Sequence, residues 1–199
     1  GVPVVLGEHN VEAVILERRA DNERRPWVRA YLRYQAARLR RYEARACRRA
    51  DRVLAVSDPD ARQLEAMSGR DDVVTVPNGV DTTFFTPLAD RRPAREMVFV
   101  GGFTWFPNED AIRHFVADIL PLVRQRHPDV TLTVVGKQPD TPAVRALAAQ
   151  AGVRLTGQVE DIRPRVQGAA VYVVPLRIGG GTRLKILDAL AMGSAIVST

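Results

Sequence analysis

The chain has 199 residues, of which 46% are apolar, enough for one large or two small globular domains with a real core; a disordered or fibrous protein is excluded. A formal charge of +6 points to an anionic partner or a heavily solvated basic surface, and no apolar run reaches the length that crosses a bilayer. The one cysteine, Cys47, cannot form an intramolecular bridge, so no oxidising compartment is required and a reducing cytosol is the expectation.

Residues 2–6 form an apolar, β-branched run that reads as a buried strand. The chain begins on Gly1 rather than Met and stops inside a second such run, "SAIVST", so the expectation is a fragment whose outer elements are missing. Residues 17–52 concentrate the positive charge, with arginines set among helix-forming alanine and leucine. This segment has three readings: a solvated helix face, attachment to acidic lipid head groups, or nucleic-acid binding. The solvated face is the simplest. Nucleic acid ranks last, because Trp27, Tyr31, Tyr34 and Tyr42 recur at helical spacing, which suits packing better than base stacking.

Further strands are expected at residues 53–56, 73–76, 97–100, 130–135 and 171–174, alternating with helical stretches. Continuous apolar runs of this kind suit parallel strands covered by helices on both faces, which makes the fold class α/β. Pro77, Asn78, Gly79, Pro87 and Pro93 interrupt any regular element between the halves, and a domain boundary is placed near residues 84–95. Open α/β sheets bind ligands beyond the carboxyl ends of their strands, so an inter-domain cleft is the expected ligand position.

Three joints run from a strand into glycine and then a helix: "MVFVGGFTWFPNEDAI", "LTVVGKQPDTPAV" and "YVVPLRIGGGTRLKILDAL". Glycine lets a ligand approach the backbone, and the free N–H groups of a following helix favour an anion. The first joint has Gly101 and Gly102 but no third glycine, which disfavours a nicotinamide-dinucleotide site; no GK[ST] follows at P-loop spacing either. Asn108 is expected to cap the helix after it. In the third joint, Gly179, Gly180 and Gly181 precede a helix expected to start near Thr182, with Arg183 and Lys185 in its first turn. A guanidinium fork, an ammonium and a helix N-terminus can balance a diphosphate. Asp188 lies three residues after Lys185, where an ion pair on the helix surface is the plain alternative. No His, Cys or acidic cluster has metal-ligand spacing.

These stretches resemble the retaining glycosyltransferases of the GT-B fold, in the family 4 group (glycosyl transferases group 1) that uses nucleotide-activated sugars. "EHNVEA", "VLAVSDPDARQL", "VPNGVDTTFF", "FVGGFTWFPNEDAI" and "PLRIGGGTRLKILDALAMGSAIVST" carry the resemblance, in the family's order and over nearly the whole chain. It implies a GT-B fold of two Rossmann-like parallel-sheet domains facing a cleft, both incomplete here. Residues 1–84 would be the later half of an acceptor-side domain, 85–95 a linker and 96–199 a truncated donor-binding domain.

The implied activity is transfer of a sugar from a nucleoside diphosphate to a hydroxyl acceptor with retention, of hexosyltransferase type, in cell-envelope polysaccharide or glycolipid synthesis; the fragment itself is expected to be weakly active or inactive. The alternative is a non-catalytic α/β module that binds acidic lipid or nucleic acid through residues 17–52. Carried over by position, His9, Arg183 and Lys185 are the catalytic candidates. Gly101, Gly102, Lys137, Gly180, Gly181, Thr182, Arg183, Leu184, Lys185 and Asp188 are the donor-binding ones, with Asp188 where the family's ribose-holding carboxylate stands. The family often places a glutamate at the position of Gly180, which shifts weight here to backbone N–H groups. No cofactor and no metal are expected. The implied partners are a nucleotide sugar and a sugar or lipid-linked acceptor, in the cytoplasm or at the inner face of the membrane.

Overall fold

The structure, a computed structural model, describes residues 1–89 and 94–199. The chain forms two compact units, Gly1–Gly79 with Ile178–Arg183, and Val80–Arg177 with Leu184–Thr199. Of the expected linker, residues 90–93 lie outside the described residues.

The first unit carries a parallel three-stranded sheet in the order β1-β2-β3, from Val5–Glu8, Arg52–Ala55 and Val74–Thr75. Helices α1 (Glu12–Asp21) and α2 (Pro26–Arg49) lie between β1 and β2 in the chain, and α3 (Asp58–Ser68) between β2 and β3. Ser57 caps α3 by accepting from the Asp60 N–H, and Gly69, at φ +76°, ends it in a left-handed turn. The core gathers Val11, Cys47, Val53, Ala55 and Leu64.

The expected buried strand at residues 2–6 is corrected on two counts. Pairing begins only at Val5, and Val2, Val4 and Val5 are exposed. β1 is the edge of its sheet and alternates, with Leu6 turned toward the core and Val5 away from it, so its apolar run does not mean burial on both faces.

The second unit holds a five-stranded sheet, all parallel, in the order β6-β5-β4-β7-β8. Its strands are β4 (Ala94–Val100), β5 (Thr131–Val135), β6 (Val153–Leu155), β7 (Ala169–Val174) and β8 (Ile196–Ser198). Alternate residues of β4 enter different cores. Met97 and Phe99 join Leu132, Val134 and Val173 on one side, while Val98 joins Val135, Tyr172 and Val174 on the other. Burial on both faces is why these strands read as unbroken apolar runs.

Helices α4 (Phe106–His114) and α5 (Leu120–Arg126) flank a π-helical stretch, Phe115–Ile119; α6 (Pro142–Ala148), α7 (Arg163–Gly168) and α8 (Leu184–Ala191) complete the unit. The stretch entering this unit is held by side chains. Asp81 accepts from the Thr83 and Phe84 N–H groups, and Arg163, paired with Asp161, lies over the Phe84 ring and donates to the Phe84 carbonyl.

Candidate functional site

The three glycine joints follow β4, β5 and β7, which stand side by side in one parallel sheet, so the joints leave the same edge. Two of them lock together. The Gly101 N–H donates to the Val135 carbonyl at 2.8 Å, and the Phe103 N–H donates to the Lys137 carbonyl at 2.9 Å. A Cβ on Gly136, whose φ is +139°, would stand 2.7 Å from the Gly101 backbone, so the crossing is open only to glycine. The Gly101 and Gly102 doublet therefore has a packing role, and Lys137 enters this joint through its carbonyl while its side chain is exposed.

Asn108 is not the expected helix cap. Trp105 occupies that position and Pro107 sits in the first turn, which starts α4 three residues earlier than the cap reading requires. The Asn108 side chain is instead buried inside the joint. Its amide donates to the Gly102 carbonyl at 2.8 Å, and its Oδ1 accepts from Lys185 Nζ at 2.9 Å. A Cβ on Gly101 would fall 2.8 Å from the same amide. Asn108 thus links the first glycine joint to the cation of the third, a role its place in "FPNED" did not reveal.

Helix α8 begins at Leu184, so Thr182 and Arg183 precede it rather than opening it, and Lys185 is its second residue. Leu184 is exposed. The Lys185 ammonium lies 4.6 Å from the centre of the Phe99 ring, with Asn108 as hydrogen-bond partner. The alternative reading, a surface ion pair of Lys185 with Asp188, does not form: Asp188 makes no ion pair among the described residues. Partial burial alone raises its pKa, with no cation pulling it back, and its charge helps push the buried Tyr172 phenol upward.

Ile178–Arg183 clusters with the first unit. Gly181, at φ +64°, lies so close to the His9 carbonyl that a Cβ there would collide with it. With its amide oriented to donate, Asn10 bridges the His9 and Gly180 carbonyls at 3.1 and 2.9 Å. Arg18 donates to the Gly179 carbonyl, and the Thr182 hydroxyl donates to the Val56 carbonyl at 3.0 Å. The glycine run is therefore tied to the ends of β1 and β2, and His9 stands exposed directly after β1.

Arg183 is partly buried, and burial, then the nearby charge of Arg18, hold its guanidinium pKa below the ordinary value. Two guanidinium groups beside a run of backbone amides make a position that gains from an anion. Neither Arg18 nor Asn10 was legible as a site residue, since each acts on a glycine more than 160 residues away in the chain, Gly179 and Gly180.

Helix α1 opens on a carboxylate. The buried Glu43 accepts from the Glu12 N–H at 2.7 Å and the Ala13 N–H at 3.2 Å, which fixes the turn carrying His9 and Asn10. Burial raises the Glu43 pKa against the lowering effect of those bonds.

Residues 94–199 match the family of glycosyl transferases group 1, more than half of the chain, and residues 1–84 match glycosyltransferase family 4. The chain belongs to the group 1 glycosyltransferases. Among its relatives in that family is the phosphatidyl-myo-inositol mannosyltransferase of Mycobacterium tuberculosis and Mycobacterium bovis. It is 34% identical over 155 residues, which cover 73% of this chain and 39% of that protein.

Similar solved structures are glycosyltransferases of the GT-B fold. S. aureus TarM superposes with a TM-score of 0.66 at 11% identity over 81% of this chain and 32% of its own. Anabaena HepE, solved with UDP and glucose, superposes with a TM-score of 0.63 at 16% identity over 98% of this chain and 52% of its own. The group 1 chain thus spans about two fifths of the length of the curated relatives it matches.

Proposed function

We propose that the protein carrying this chain transfers a sugar from a nucleoside diphosphate to a hydroxyl of a glycolipid acceptor, with retention of the anomeric configuration. Residues 1–84 serve the acceptor side in this reading and residues 96–199 bind the donor. Family membership and the meeting of Lys185, Asn108 and the glycines of the first joint support the transfer. The UDP and glucose held by HepE favour a nucleoside-diphosphate donor, and the mannosyltransferase relatives favour a lipid acceptor.

Chemically, the bond between the anomeric carbon and the diphosphate oxygen breaks with its electron pair leaving on the phosphate. The acceptor oxygen bonds to that carbon on the same face, and its proton passes to the departing phosphate oxygen. Charge grows on the diphosphate, so the main catalytic contribution is donors fixed where that charge develops. Arg183, Lys185 and the amides of Gly180, Gly181 and Thr182 fill that role, with no metal in the scheme. Asn108 holds Lys185 in place, Asp188 accepts from the ribose hydroxyls, and His9 contacts the transferred sugar.

The carrying observation is the Lys185 ammonium held by the buried Asn108 beside a glycine joint. The test is replacement of Arg183 by alanine in the full-length protein. Loss of about 2 to 4 kcal/mol of transition-state stabilisation is expected, and unchanged turnover removes Arg183 from the mechanism. Retention is checked by NMR comparison of donor and product anomers, where an inverted product overturns it.

A further inference from the structure

Helix α2 is 24 residues long and holds eight arginines and a single carboxylate. That carboxylate, Glu43, faces the core and is occupied by the N–H groups of α1, so the outward surface of the helix carries no acid of its own. Leu32, Ala36, Glu43 and Cys47 mark the buried face. Opposite them, at steps of three and four, stand Trp27, Tyr31, Tyr34, Arg38, Arg41, Tyr42, Arg45 and Arg49, all exposed. The four rings are among the most exposed large side chains of the protein, at 71, 60, 60 and 69% for Trp27, Tyr31, Tyr34 and Tyr42.

A face that merely met water would interleave acids with its bases. Here Arg41, Arg45 and Arg49 follow one another at i, i+4, an arrangement that repels until an anion lies across it. Beside the ridge, an open cleft of about 510 Å³ between α2 and α3 is lined by Arg41, Arg45 and Arg48, and by Arg40, which is paired with Glu17 of α1, with Met67 beneath them. Its size and charge suit a phosphodiester head group.

We propose that the outward ridge of α2 lies on an anionic membrane surface, its Trp and Tyr rings in the head-group layer and its arginines on lipid phosphates. Trp and Tyr are the residues that gain from a boundary with one apolar and one wet side, and arginines beside them add attraction to anionic lipid. A single-stranded nucleic acid instead needs its stacking rings inside a groove, and these stand on a ridge. The proposal does not rest on the transfer reaction, and its test reads no turnover.

In the 199-residue chain, Trp105→Phe leaves Trp27 as the one indole. Mixed with vesicles of equal phosphatidylglycerol and phosphatidylcholine, it is expected to sediment with them and shift Trp27 emission to the blue; both effects fade at about 0.5 M salt. Arg41→Gln, Arg45→Gln and Arg49→Gln combined lower partitioning on the order of a hundredfold. Circular dichroism of the variants should match that of the parent chain, since the changed residues are exposed. Equal binding to pure phosphatidylcholine, no blue shift on anionic vesicles, an unaffected triple variant, or tighter binding to a single-stranded oligonucleotide each overturns the proposal. A blue shift of Trp27 that grows with protein concentration in the absence of lipid overturns it too, in favour of self-association.

Discussion

Lys185 and Asn108 are joined by a 2.9 Å hydrogen bond in which a cation of the third glycine joint donates to a buried amide of the first. An ammonium alone is a mobile point charge, and this bond together with the Phe99 ring confines it. Two different consequences of breaking the bond can be measured.

Asn108→Ala removes both the acceptor for Lys185 and the donor to the Gly102 carbonyl. Leaving a buried partner unsatisfied costs about 1 to 3 kcal/mol, so the urea midpoint should fall accordingly. Lys185→Met should cost less stability, since it leaves the Asn108–Gly102 bond in place, yet on the proposed function weaken binding of a nucleoside diphosphate such as UDP in calorimetry at least about tenfold. Equal stability of all three proteins would show that Asn108 organises nothing.

Neighbouring glycines of the third joint should respond in opposite ways to a methyl group. At Gly180 an added Cβ meets Ile15 at 3.6 Å and Asn10 at 3.7 Å, ordinary contacts with no unusual backbone angle. At Gly181 it meets the His9 carbonyl, and φ is +64°. Gly181→Ala should therefore lose at least about 1 to 2 kcal/mol from the left-handed backbone alone, while Gly180→Ala changes the melting temperature little. Matching melting temperatures would remove the close approach of Gly181 to His9. Room for a Cβ at Gly180 also makes Gly180→Glu a workable way to ask what the carboxylate common in the family would add.

Much of the second unit was legible because strands buried on both faces appear as runs such as residues 97–100 and 171–174, and because glycine marks where they end. The short β6 was not, since Val153–Leu155 is interrupted by the exposed Arg154 and gives no run to detect. At the site, residue types were readable and partners were not. Lys185 and Asp188 suggest an ion pair by spacing, yet a buried amide 77 positions away takes the lysine. Its place before a helix gives Asn108 the local role of a cap, whereas its partners are the Gly102 carbonyl six residues earlier in the same joint and Lys185 in the third. The outward aromatics of α2 misled differently: helical spacing is the same for a face that packs and a face that waits for a partner, and only burial tells them apart.

Arg183 should show a trade between stability and binding. Burial and the charge of Arg18 both oppose its guanidinium. Relief of that burial and repulsion offsets part of what its own contacts contribute, so Arg183→Gln is expected to change the melting temperature little, while on the proposed function the affinity for a nucleoside diphosphate such as UDP falls at least about tenfold, as for loss of a charge-assisted bond. A variant that melts lower and binds UDP as tightly would assign Arg183 to structure instead.

Glu43 makes the stability of the first unit depend on pH in a definite direction. Its folded pKa is raised by burial above the ordinary 4.5, so between 4.5 and that raised value the native state holds more protons than the unfolded chain. Stability from this group is therefore greatest below 4.5 and is lost as pH rises through the folded pKa. Glu8, raised by burial and by the Glu43 charge, adds to the same slope. The half-buried Asp72, lowered by Arg70, acts the other way and only below its ordinary 3.8. Glu43→Gln keeps an oxygen to accept from α1 but no charge to bury, so its stability relative to wild type should improve as pH rises from 4.5 through the raised folded pKa and stay constant above it. Glu43→Ala gives up the cap and should lose about 0.5 to 2 kcal/mol even at pH 4.5. Urea unfolding across that range separates the two, and a constant offset for Glu43→Gln at every pH would show that the carboxylate is not destabilised by its burial.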